Sequence, residues 1–257
     1  MTQRLDDPFA QLTGSLASAS RWQLEVVAST ELSKHLRRIE LTADGLGGLD
    51  YRPGQDLMLL VAVEGNRPVR RRYTIRSLDR ARDRVAIDVV VHGPGVRQSV
   101  GPGEQWVLAA APGTTVEGIA PRGKVFLAQD ADWHLFAGDE SALPMVAAMT
   151  ESLPSDRPAV ALLEVPEAAD EYPVNAAVTW LPRDGRPAGD AAALVRAVTE
   201  TPLPEGHGHA YLAGEARAVL ALRDALTARG VAPEQVSPKA YWGLGRSNAS
   251  HGEPPRE

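Results

Sequence analysis

Apolar and polar positions change rhythm once along the chain, close to residue 130. From Trp22 to about Phe126, short apolar or alternating runs (WQLEVVAS, HLRRIELT, DLMLLVAV, RRRYTIRS, RVAIDVVVH, TTVEGIA and KVFLA) are separated by turn pairs such as Asp44-Gly45, Pro53-Gly54 and Pro112-Gly113. Short runs bounded by tight turns predict β-strands, and a series of them predicts an antiparallel barrel or sandwich. One stretch departs from this pattern. GPGVRQSVGPGEQWVLAAAPG, from Gly93 to Gly113, predicts a short helix between two strands, placed over Gln105 to Ala110. After Asp130, continuous apolar strands alternate with amphipathic helices: DWHLFAG, ESALPMVAAMTESL, AVALLEV, VNAAVTWL, DAAALVRAVTE, HAYLAG, EARAVLALRDALTARG and VSPKAYW. That alternation predicts a mostly parallel sheet covered on both faces. The last long helix shows it best, with Val219, Leu222, Ala225 and Leu226 at helical spacing and Gly230 where a C-terminal cap belongs. The expected organisation is a flexible segment over 1–19, a β-barrel over 20–129, an α/β domain over 130–247 and a flexible tail over 248–257, without internal repeats.

A length of 257 residues agrees with two domains. Composition narrows the chemistry. The formal net charge of −6 argues against a general electrostatic grip on nucleic acid. No apolar run approaches the ~18 residues of a membrane span, and MTQRLDDPFA lacks the order of a signal peptide, so a cytoplasmic protein without a membrane partner is expected. The absence of cysteine excludes disulfides, thiolate zinc sites, cysteine-ligated iron–sulfur clusters and cysteine nucleophiles. An electron-transfer role would therefore need a bound organic cofactor or a histidine or carboxylate metal site. His134, His207, His209 and His251 show no ligand spacing, so no metal is expected, and no G-x-S-x-G hydrolase element occurs.

The densest chemical signal is Arg70-Arg71-Arg72-Tyr73-Thr74-Ile75-Arg76. On a strand, Arg71, Tyr73 and Ile75 face one way, while Arg70, Arg72, Thr74 and Arg76 face the other. Arginine forks suit a pyrophosphate, a tyrosine ring can lie against a flavin, and a threonine hydroxyl can bond a ring nitrogen. A solvated basic edge strand is the simpler alternative. Gly138-Asp139-Glu140-Ser141-Ala142 lies between a predicted strand and a helix, where an α/β domain meets its ligand, yet Asp139 or Ser141 could equally cap that helix. No G-x-G-x-x-G is present, and Gly214-Glu215 forms a second strand-to-helix turn.

RRRYTIR resembles the R-x-Y-T-x-R flavin signature of the siderophore-interacting protein family, a branch of the ferredoxin–NADP reductase-like superfamily. IDVVVHG, WHLFAGDESALP, LLEVPEAADE, TWLPR, AYLAGEARAVLALR and KAYWGLGR are similar, in order, to further elements of that family, over roughly residues 20 to 247. The resemblance implies an N-terminal FAD-binding barrel and a C-terminal NAD(P)H-binding-like domain. It places Arg71, Tyr73, Thr74, Arg76, Asp88, Val91, His92 and Trp106 at the FAD, with Asp139, Glu140, Ser141 and Ala142 also at cofactor. Gly138, Gly214 and Glu215 become candidates for a nicotinamide nucleotide.

Many family members pair a lysine in an early strand with later basic residues to hold an anionic ferric siderophore. That lysine falls at Met58 here, and Gly243 stands where an arginine is common, leaving Arg122, Lys124, Lys239 and Arg246 as candidate substrate-binding residues. The implied activity is FAD-dependent reduction of a ferric siderophore, with NADH, NADPH or a separate ferredoxin as donor and no acid or base beyond the flavin. The alternatives are an FAD enzyme of the same fold acting on a less anionic small molecule in a biosynthetic pathway, and a non-catalytic binder.

Overall fold

The computed structural model describes residues 20–91 and 100–245. The expected flexible segments, His92 and Arg246 lie outside that range. Six strands form a closed antiparallel barrel: β1 (Ser20–Ser33), β2 (Leu36–Thr42), β3 (Asp56–Glu64), β4 (Arg67–Asp79), β5 (Arg84–Val90) and β6 (Thr115–Arg122). They run β1-β2-β5-β4-β3-β6 around the wall, and β6 closes on β1. Closure leaves no unpaired edge. Alternate residues such as Leu24, Val26, Ile39, Leu41, Leu57, Leu59, Ile75 and Ile87 fill the interior. The predicted helix is present as α1 (Pro102–Ala109), starting three residues earlier than expected because Pro102 occupies its first turn.

Five parallel strands follow: β7 (Trp133–Gly138), β8 (Ala159–Val165), β9 (Ala177–Pro182), β10 (Gly208–Glu215) and β11 (Val236–Trp242). Their order is β11-β10-β7-β8-β9, so the connections reverse direction between β7 and β10. Helices α2 (Leu143–Glu151), α3 (Ala192–Glu200) and α4 (Ala216–Ala228) cover the sheet. The barrel followed by a covered parallel sheet is the architecture that the hydrophobic pattern predicts.

Two features tie the halves together. Helix α2 is buried from Leu143 to Thr150 because it lies between the sheet and barrel strand β4. The predicted strand KVFLA is instead an irregular segment after β6, whose Val125 and Leu127 pack on the core around α2. Leu36 and Val90, both from barrel strands, join the same core. Among the described residues no helix is long and apolar enough to cross a membrane.

Candidate flavin site and the seam between the domains

The two faces of β4 meet different surroundings. Arg71 and Tyr73 turn toward α1, where the Tyr73 ring stacks on Trp106 with centroids 6.3 Å apart. The Tyr73 hydroxyl donates to the Gly103 carbonyl at 3.5 Å. Burial raises the Tyr73 phenol above its ordinary pKa, opposed by the Arg71 charge. Gly101 supplies no capping side chain to α1. Gly103 lets the helix backbone close on the strand, since a Cβ there would lie 3.0 Å from both Arg71 Cγ and Tyr73 Oη. Arg71 donates Nη1 to its neighbour's carbonyl at 2.8 Å. A helix N-terminus without a side-chain cap, an arginine fork and an aromatic pair fit the diphosphate and flat ring of FAD.

The other face looks into the seam between the domains. Thr74 Oγ1 donates to Asp56 Oδ1 at 3.2 Å and lies 2.6 Å from the Tyr241 hydroxyl. Arg76 grips Glu151 at 2.7 and 2.5 Å and donates Nε to the Tyr172 hydroxyl at 2.7 Å. Asp88 receives the Arg38 fork at 2.7 and 2.8 Å together with the Tyr172 hydroxyl, so both its oxygens are engaged within the protein. Val91 packs on the barrel core and its amide donates to the His35 carbonyl. The motif that one strand carries is thus divided: Arg71, Tyr73 and Trp106 come together, while Thr74, Arg76 and Asp88 join the barrel to the second domain.

Gly138 ends β7 and Gly214 is the last residue but one of β10, at the point where strand order reverses, the usual ligand crevice of such a sheet. A Cβ on Gly138 would lie 2.0 Å from the Ala213 carbonyl oxygen, so the strands approach too closely there for any other residue. Glu215 caps α4, whereas Asp139 caps the 3-10 turn Glu140–Ala142 that leads into α2, a helix with no side-chain cap of its own. Asp139 accepts from the Ser141 amide and hydroxyl, the Glu215 amide and Trp242 Nε1. Burial, reinforced by Glu140, pushes the Asp139 carboxyl up to about 6. Glu215 accepts from the amides of Arg217, Ala218 and Leu244. Ala142 is fully buried against α2. Glu140 is bound by Arg183 at 2.6 and 2.9 Å, and Arg183 also donates to Glu164 at 3.2 Å. Burial raises Glu164 to about 7 despite that partner.

The candidate substrate residues gather around Asp56, whose side chain is buried. Lys239 Nζ donates to Asp56 Oδ1 at 2.6 Å and to the Gly54 carbonyl at 3.0 Å, and it lies over the Tyr241 ring, 4.9 Å from its centroid. Burial opposes the ammonium charge, but Tyr241 and Asp56 outweigh it and raise the Lys239 pKa. Arg72 Nη2 reaches Asp56 Oδ2 at 3.2 Å. Arg122 pairs with Asp56 in the β3–β6 register, and its Nη1 is buried without a hydrogen-bond partner among the described residues. Lys124 is exposed beyond it. Met58 sits between Arg72 and Ile119 across the neighbouring strands.

Residues 53–125 match the model of the siderophore-interacting FAD-binding domain, and residues 131–245 match that of the siderophore-interacting protein. A ferric vibriobactin reductase of Vibrio cholerae is 31% identical, covering 90% of this chain and 92% of its own length. The chain belongs to the siderophore-interacting protein family. A siderophore utilization protein from T. fusca superposes with a TM-score of 0.79 at 30% identity, over 91% of this chain and 97% of that one. An NADPH-dependent ferric-chelate reductase of Escherichia coli is 28% identical over 71% of this chain and 70% of its own. This siderophore-interacting protein is a flavin-dependent oxidoreductase with an FAD-binding barrel.

Several residues of this family member carry no signal in the local sequence. Arg183, Arg38, Tyr172 and Glu151 lie far along the chain from the groups they hold, and each is an ordinary residue within its own segment. Tyr241 was legible only as part of KAYW, and its contact with Thr74 spans 167 positions.

Proposed function

We propose that this protein reduces ferric siderophores with FAD as its resident carrier, releasing iron as Fe(II). The observation that carries this reading is the placement of Arg71, Tyr73 and Trp106 at the start of α1, on the same strand that carries Arg72 into a cationic seam beside Arg122. When bound, FAD supplies a two-electron store that releases electrons singly, so one load reduces two Fe(III). The chain's own part is positional. Arg71 and the first amides of α1 hold a diphosphate, and the Tyr73–Trp106 pair bounds a flat ring. Arg122 draws the chelate to the seam. Fe(II) binds hard oxygen ligands less tightly than Fe(III), so the product leaves without an acid or base. The donor in this reading is a reduced nicotinamide nucleotide, supported by the NADPH dependence of the Escherichia coli relative and by the strand-order reversal beside Gly138 and Gly214.

The test is anaerobic reduction of the FAD-loaded protein by NADH, NADPH and a reduced ferredoxin in turn, followed by ferric chelates. Bleaching of the flavin by NADH or NADPH and its recovery on adding a ferric siderophore are expected. Recovery with oxygen but with no ferric chelate would overturn the reading.

A further inference from the structure

The crevice assigned above to a nucleotide is rimmed by two buried acids that share one arginine. Glu140 follows β7, Glu164 is the last residue but one of β8, and Arg183 follows β9. Parallel pairing sets Gly138 beside Leu163, so Glu164 stands level with the turn after β7, at the ends of the strands where a ligand of such a sheet is met. Arg183 divides its guanidinium between the acids: Nη1 and Nη2 reach the two oxygens of Glu140 at 2.6 and 2.9 Å, and Nη1 also reaches Glu164 Oε1 at 3.2 Å. Glu164 Oε2 has no hydrogen-bond donor among the described residues, although the side chain is 2% exposed, and Arg186 Nη1 stays 4.0 Å from it. One guanidinium thus serves two buried carboxyls and satisfies one of them.

The other charged groups around Glu164 do not supply the missing donor. Asp139 and Glu140, on the turn after β7, oppose its ionisation. Asp139 itself accepts from the Ser141 amide and hydroxyl, the Glu215 amide and Trp242 Nε1, a donor set that suits the charged form. Glu215, at the end of β10, accepts from three amides. Helix α3 packs on β8 and buries Leu194 and Val198, while its Arg196 and Glu200 are exposed, as are Asp184 and Asp190 on the segment before it. Helix α2 carries only Glu151, which Arg76 holds on the barrel side. The oxygen without a donor therefore marks Glu164, not Asp139, as the seat of a proton, in keeping with the burial that raises its pKa to about 7.

We propose that the nicotinamide nucleotide binds this crevice together with a proton taken up by Glu164, so that donor affinity falls as the medium turns alkaline. The coupling rests on the nucleotide-donor reading above. With the proton in place, Arg183 answers Glu140 alone and the rim carries one carboxylate fewer. A nucleotide diphosphate then meets less repulsion, and by reciprocity its own charge favours the neutral acid. Neither Glu164 nor Arg183, at 2% and 7% exposure, needs to touch the ligand, because charges in a buried rim are poorly screened.

ADP-ribose carries the diphosphate of the donor without its redox chemistry, and it does not titrate near neutral pH. Calorimetric titration of the FAD-loaded protein with ADP-ribose at about pH 7.5, in buffers of different ionisation enthalpy, should show net uptake of a fraction of a proton. Its affinity should fall about fivefold or more between about pH 6.5 and 8.5. Glu164→Gln keeps an acceptor for Arg183 but cannot titrate, so uptake should vanish and the profile should stay flat at the affinity the unmodified protein reaches in acid. Binding without proton uptake, or uptake that survives in Glu164→Gln, would overturn the proposal and leave the donor reading standing. Failure of ADP-ribose, NADH and NADPH to bind at any pH would sink the donor reading and the coupling with it.

Discussion

Arg183 holds Glu140 and Glu164 together at the ends of three strands, and its own side chain is 7% exposed. Removing one partner of a buried ion pair leaves charge without compensation, so Arg183→Met should lower unfolding free energy by about 3–5 kcal/mol in a denaturant titration. His134 sets a second expectation. Burial, with help from Arg157 and His209, depresses its pKa to about 4. Between that value and the ordinary 6.5 the unfolded chain binds more protons, so the His134 contribution to stability falls as pH drops through this window. Thermal melts from pH 7 to 4 should show a shallower loss for His134→Asn than for the unmodified protein. Glu164, raised to about 7, changes stability in the opposite sense but is common to both proteins and leaves the difference intact. Neither Arg183 nor His134 was readable as a pair member from sequence. The turn Gly138-Asp139-Glu140-Ser141 was readable as a turn, and Asp139 caps there the 3-10 turn before α2 rather than α2 itself. A local rule sees a cap, whereas an arginine arriving 43 positions later has no local mark.

At the scale of elements, period-two alternation revealed the barrel strands because each wall segment has one face in the core. The exceptions have physical causes. KVFLA has strand-like composition but packs Val125 and Leu127 on the core around α2 without entering a ladder. Helix α1 begins at Pro102 because proline loses no hydrogen bond in a first turn, a signal that outranks the apolar run WVLAA. Its close approach to β4 gives a direct test. Gly103→Ala would press a methyl against Arg71 and Tyr73 at 3.0 Å. FAD affinity, measured by flavin fluorescence during titration of apoprotein, should fall about tenfold or more while the far-UV circular dichroism is retained. Arg71→Ala should release FAD during gel filtration, and full retention would refute the assigned diphosphate contact.

The whole molecule is joined by a mixed seam: the apolar core around α2 takes Leu36 and Val90 from the barrel, and polar groups connect its rim. Tyr172 stands at the centre of that rim, accepting from Arg38 at 2.9 Å and Arg76 at 2.7 Å while donating to Asp88. Tyr172→Phe should cost about 1–3 kcal/mol, because three buried or half-buried groups lose a partner. A single calorimetric transition is expected for both proteins, since the shared core couples the halves. Two domains were legible in the change of rhythm near residue 130, but their joint was not, because its contacts cross long stretches of chain. Lys239 and Asp56 are separated by 183 positions, and this spacing acts on the nascent chain as well as on the folded one. Synthesis delivers the barrel wall first, with Asp56 lacking its ammonium partner and Leu36 lacking the apolar cover of α2. The first half made is therefore finished by the last strand made. A chain stalled on the ribosome before Val236 should remain open to protease at its barrel, and completion of β11 should close both halves together.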